Sequence, residues 1–235
     1  MVLTTKDVEW LAEHYPTLVP SEDLSQIVGD LSFSAAYDED NNDLSIIRSA
    51  DDTPLGIVLT GTYPLLIKGG SADRLPKTYV TIENYPRGGE RHFTISEAAC
   101  LCGPSEEVHL IKGGMTIGKY IEELVIPFLY GQRYYDEYGK WPLPAYEHNT
   151  VGALQSYYQD GDPDTVGVTV ATLRGVAKED WPRIREMLVA DQPPTDQLPC
   201  LICAGADPHG CHPEAWEGFK KLHNDLKASG LPVPE

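Results

Sequence analysis

Positive charge is scarce in this sequence: 18 Lys and Arg stand against 36 Asp and Glu, giving a formal net charge of −18. Non-specific affinity for nucleic acid or anionic lipid comes from clustered Lys and Arg, so neither is expected as a partner. A basic partner surface fits the balance better. Long apolar runs are missing too. No stretch approaches the roughly 18 apolar residues that span a membrane, and "MVLTTKDVEW" has no apolar segment behind a basic start. The expectation is a soluble, non-exported, cytoplasmic protein. Cysteine is rare: 5 in all, an odd number in two clusters at 100–102 and 200–211, which makes a poor disulfide framework. Reduced thiols fit better. No internal repeat, low-complexity tract or Ser-His-Asp arrangement is visible.

What is present has the composition of a folded domain, 41% hydrophobic and 23% charged, with 19 prolines that imply many turns. After Thr4 as N-cap, Val8, Leu11, Ala12 and Tyr15 recur at helical spacing until Pro16. The period then changes. "LSFSAAYD" puts Leu31, Phe33, Ala35 and Tyr37 on one face, and "DLSIIRS", "GIVLTGTYPLLI" and "TYVTIENY" follow between turn-forming segments. A four-stranded antiparallel meander is expected. From Ile117 a wide apolar stripe through Tyr120, Ile121, Leu124, Val125, Phe128 and Leu129 marks the long helix, with a kink or early end near Pro127. A short helix is expected over Val151–Tyr158, a strand at "VGVTVATLRG", a helix at "KEDWPRIREMLVA" and a terminal amphipathic helix in "PEAWEGFKKLHNDLKA". The class is α+β.

The C-terminal cluster, "CLICAGADPHGCH", offers Cys200, Cys203, Cys211 and His212 as four ligands for a structural Zn²⁺, since zinc takes tetrahedral Cys and His donors. His209 competes for the fourth place. Unrelated surface cysteines, or a redox pair, are the alternatives. The segment resembles the SEC-C motif, a small zinc-binding element, through the C-x-x-C knuckle, Gly205 and the adjacent Cys211-His212. Two residues, not one, separate its first pair, and the loop lacks that motif's basic residues.

In "RHFTISEAACLC", Cys100 and Cys102 admit a redox pair, a metal site completed by His92 and His109, or two partly buried thiols at a strand end. The order along the chain supplies a further reading. A helix, a four-stranded meander, a loop carrying His92, then Cys100-Leu101 and a long helix resembles the ubiquitin-conjugating enzyme family over residues 1–160. "TIGKYIEELVIPFLYGQRYYDEYGKWP" and "EHNTVGALQSYY", together with the zinc-like tail, resemble its prokaryotic branch. The resemblance implies a domain at 1–160, an extension and linker at 161–195, and a zinc element with terminal helix at 196–235. It implies Cys100 as a nucleophile that carries a protein's C-terminal glycine as a thioester, and His92 as the residue that orders the loop or hydrogen-bonds the oxyanion. A thiol of pKa about 8.5 is ionised enough at neutral pH for exchange between thioesters.

Members of that branch act in CBASS-type antiphage operons on the C-terminal tail of a cyclic-oligonucleotide synthase, and others act on ubiquitin-like proteins. These are the implied partners, with an activating enzyme upstream. The eukaryotic family's His-Pro-Asn tripeptide is represented here by "ERHFT", which keeps His92 alone. Arg91 and His148 are weaker candidates for the same site. Rival readings are a non-catalytic binding module of the same fold and a sensor that uses Cys100 and Cys102.

Overall fold

Thr4 does start the first helix, α1 (Thr5–His14). Its hydroxyl accepts from the Asp7 amide at 3.3 Å, while the Asp7 carboxylate accepts from the Thr4 amide at 2.8 Å. This reciprocal cap satisfies donors that a helix start leaves open. The computed structural model describes residues 2–192 and 211–235. They divide into two units: Met1–Cys102 with Leu110–Pro144, and Gly103–His109 with Ala145–Glu235.

The first unit is built on one antiparallel sheet of β1 (Leu18–Pro20), β2 (Gln26–Asp38), β3 (Asp43–Ile46), β4 (Ile57–Lys68) and β5 (Lys77–Val80). Along β2, Ile27, Leu31, Phe33, Ala35 and Tyr37 are buried; along β4, Leu59, Tyr63, Leu65 and Ile67 are. That period of two gives the sheet one covered face. The order is not the expected meander. β4 pairs with β2 from Gln26↔Lys68 to Tyr37↔Ile57, and β3 pairs with the other edge of β2, from Ala35↔Ile46 to Asp38↔Asp43. The chain leaves β3 through a turn in which the Asp52 carboxylate accepts from the Arg48 and Ser49 amides at 2.7 and 2.9 Å. It rejoins the sheet at Gly56, whose φ of +93° and close approach to the Tyr37 carbonyl admit no side chain.

A single 3₁₀ turn (Gly89–Arg91) and α2 (Pro104–Lys112) precede the long helical run. That run has three parts: α3 (Ile117–Lys119), a π-helical segment (Tyr120–Val125) and α4 (Ile126–Tyr138). The Ile126 amide donates to the Ile121 carbonyl, five residues back. Pro127 has no amide hydrogen to give, and the wider turn before it accommodates the loss without ending the helix. Every member of the expected apolar stripe from Ile117 to Leu129 is buried.

The second unit is helical: α5 (Asn149–Asp160), α6 (Val166–Val176), α7 (Trp181–Val189) and α8 (Pro213–Ser229). Its core gathers Leu154, Tyr157, Leu173, Ile184, Phe219 and Leu222. The segment expected as a strand is α6. Val166, Thr169, Val170 and Leu173 are its buried residues, a helical spacing that outweighs their β-branched composition. The division at Pro144 also falls before the expected boundary at 160, because α5 packs on α6 and α8. Among the described residues, no helix is long and apolar enough to cross a membrane.

Candidate functional site

The candidate site is a short hairpin. After the turn at Gly89–Arg91, His92 adopts left-handed backbone, φ 54° and ψ 44°. This reverses the chain, and Phe93 pairs with Ala99 across an antiparallel bridge. The Thr94 amide donates to the Ala98 carbonyl and the Cys100 amide to the His92 carbonyl, both at 2.8 Å. His92 and Cys100 therefore stand opposite one another at the base of the hairpin, and Ile95 at its tip is 95% exposed.

Burial separates the residues of the second arm. Ala98 and Ala99 are buried and Cys100 is exposed. Ala99 also donates to the Thr78 carbonyl of β5 at 2.8 Å, and Phe93 meets Phe128 of α4 edge-on at 5.2 Å. Cys102 is half-buried against the first unit's core. Both cysteines lie outside disulfides. Of the two, Cys100 is the exposed residue.

Arg91 fastens the first arm. It is 9% exposed, and its guanidinium donates to the Asp136 carboxylate at 2.6 Å and to the Gln132 carbonyl oxygen at 3.3 Å. The Gln132 amide returns a bond of 2.6 Å to the Arg91 carbonyl, and the guanidinium lies 4.5 Å from the Tyr135 ring centre. A planar fork held at several points fixes both position and orientation. Arg87 adds a second tie by donating to the Val80 and Ile82 carbonyls at 2.7 and 3.2 Å. Sequence reasoning ranked Arg91 low and missed Gln132 and Asp136. The available signal was their i, i+4 spacing, which sets two polar groups on one face of a helix.

His92 is half-buried, with its ring 4.3 Å from the Trp141 ring and tilted by 41°. Trp141 comes from the Pro-rich loop after α4 and rests on Gly131, where a side chain would collide with the indole. The His92 carbonyl thus accepts from Cys100 across the base of the hairpin, and its ring leans on Trp141 at a tilt.

The remaining histidine candidates fall in the second unit. His109 belongs to the second unit, where its Nε2 is 2.8 Å from the Asp160 carbonyl and 3.8 Å from the Asp162 carboxylate. His148 precedes α5 in the same unit. Also there, burial holds the Glu106 carboxyl above its ordinary range, against the Gly103 amide that donates to it at 3.2 Å; Asp160 adds to the rise. Of the residues that would make a metal site with Cys100, the first unit holds His92 and Cys102 and the second holds His109. No group of three or more His, Cys, Asp or Glu that could hold a metal occurs among the described residues. Cys211, exposed, and His212, half-buried, head α8, and their thiol and imidazole are donors that suit zinc. Cys200, Cys203 and the competing His209 lie outside the described residues.

No protein-family model matches the chain, and neither does any curated protein or solved structure.

Proposed function

We propose that the chain is a ubiquitin-conjugating-like transferase and that Cys100 carries a protein's C-terminal glycine as a thioester. The observation that carries this reading is exposed Cys100 at the base of a braced hairpin, its amide bonded to the His92 carbonyl at 2.8 Å. A carrier thiol must meet two macromolecules in turn, so it needs exposure together with a fixed position. The order of helix, antiparallel sheet, His-containing loop, Cys-Leu and long helix supports the same reading of the first unit.

In the first step the Cys100 thiolate attacks the acyl carbon of an incoming thioester, and the donor's thiolate leaves. In the second step an acceptor amine attacks the Cys100 thioester, gives up a proton and restores the thiolate. His92 serves in this scheme as the residue that orders the loop, and oxyanion stabilisation falls to donors around Cys100, its imidazole included. By the resemblance to the prokaryotic branch, the setting is CBASS-type antiphage defence. The protein handled there is a cyclic-oligonucleotide synthase, through its C-terminal tail, or a ubiquitin-like protein, and an activating enzyme supplies the thioester. Structural zinc on Cys200, Cys203, Cys211 and His212 belongs to the same proposal. Elemental analysis of purified protein beside Cys211→Ser tests it, and absence of zinc from the wild type refutes it.

The deciding experiment is intact-mass analysis of Cys100→Ser incubated with an activated donor. Serine traps the acyl group as an oxyester and the donor thiol leaves, so the expected result is an adduct of the transferred protein's mass less one water, missing from Cys100→Ala. A folded Cys100→Ser that gains no adduct beside a charged donor rejects transfer. Cys100→Ala with full biological activity favours the binding module.

A further inference from the structure

A groove of about 490 Å³ opens in the first unit between the β2–β3 turn and the end of α4. Its walls include Tyr37 and Tyr134, 7% and 6% exposed, with half-buried Trp141 beside them. Asp38, Glu39 and Asp40 line it from the turn, and the one cation in the lining is Lys140. The turn is held rigid from within. The Asp38 carboxylate accepts from the Asp40 amide at 3.0 Å and from the Asn41 side-chain amide at 2.7 Å, and the Asn41 bond keeps its carboxyl below the usual range. Glu39 and Asp40 are exposed.

Aromatic walls under an acidic rim define the chemistry of an occupant. Lysine and arginine lay an apolar stem along ring faces and place a cation where carboxylates and π faces both attract it. An acidic segment would bring its charge against three carboxylates for one ammonium. The net charge of −18 draws the same class of partner from a distance. The volume lies in the range of ordinary ligand pockets.

We infer that this groove docks a basic peptide segment, its Lys or Arg stems against Trp141, Leu55 and Ile57 and its cations at Glu39 and Asp40. Trp141 joins the groove to the candidate site, since its indole also packs on His92. Docking is nonetheless independent of chemistry at Cys100, and a groove that binds without transfer leaves the inference standing.

Fluorescence anisotropy of labelled octalysine amide with the full chain at low salt tests it. Three exposed-site variants serve: Glu39→Gln with Asp40→Asn; Leu55→Lys, at a lining residue that is 71% exposed; and, as control, Glu9→Gln with Glu13→Gln on α1. Removing two exposed charge pairs should weaken binding about fivefold, and Leu55→Lys by at least as much, while the control stays within about twofold of wild type. Equal loss in the α1 control, which marks diffuse charge attraction, overturns the inference. So does a wild type that shows no saturable binding, or that binds labelled octaglutamate more tightly.

Discussion

Replacing Arg91 with alanine withdraws the bolt from the hairpin that carries Cys100. The guanidinium is buried while the Asp136 side chain keeps 35% exposure, so Asp136 rehydrates once its partner is gone. That partial exposure limits the lost ion pair to about 1 kcal/mol. Gln132 is fully buried and loses a donor, for about another 1 kcal/mol, and the cation over the Tyr135 ring contributes about 1 kcal/mol more. The sum, about 3 kcal/mol, lowers the melting temperature of the first unit by roughly 10 °C at its size. Calorimetry measures the total, and hydrogen exchange locates it. The Cys100 amide, bonded to the His92 carbonyl, should exchange faster in Arg91→Ala while the β2–β4 ladder keeps its protection at temperatures well below the transition. Arg91→Lys keeps the charge without the fork and should recover less than half of the loss. Arg91→Ala within about 0.5 kcal/mol of wild type, or unchanged exchange at residue 100, would refute the reasoning.

Glu106 gives a pH test in the second unit. Its folded carboxyl is held above the unfolded value mainly by burial, so the folded state binds more protons between the two values and stability falls as pH rises through that window. Glu106→Gln can still accept from the Gly103 amide and should be more stable than wild type at pH 8, with the two converging near pH 4; parallel urea midpoints across that range would count against it. Gly218 on α8 lies where a Cβ would come within 2.0 Å of the Leu154 carbonyl oxygen on α5, a backbone atom that cannot swing aside. Gly218→Ala should cost at least about 3 kcal/mol, whereas Gly175→Ala on α6, which meets nothing within 4 Å, should stabilise by up to about 1 kcal/mol. Urea unfolding of both variants checks the contrast, and equal midpoints would sink it.

Where local chemistry decides, the sequence was readable. The Thr4 cap, the alternation of β2 and β4, the long apolar stripe and α5 each rest on neighbours a few residues apart. The departures arise where distant parts of the chain compete. Four residues of β3 could lie on either edge of β2, and hydrophobic pattern does not choose between edges. In α6, β-branched residues pointed to a strand, while the spacing of Val166, Val170 and Leu173 already carried the helical period. The site divides in the same way. Cys100 and His92 stand out as residue types, but Arg91 gains its importance from Gln132 and Asp136, some forty residues onward, and pattern within a short window does not register such a partnership.

The π segment at Tyr120–Val125 carries a further consequence. Each residue of an α-helix advances the side-chain direction by about 100°, and a π turn is the signature of a residue added to that count. Gln132 and Asp136 lie beyond it. Deleting one residue from the segment would leave composition and apolar content almost unchanged, yet would turn both of them about 100° away from the arginine they hold. The helix works as a keyed shaft whose extra residue sets the angle at which its far end engages the loop. Chain length within that turn is thus as constrained as any side chain at the site.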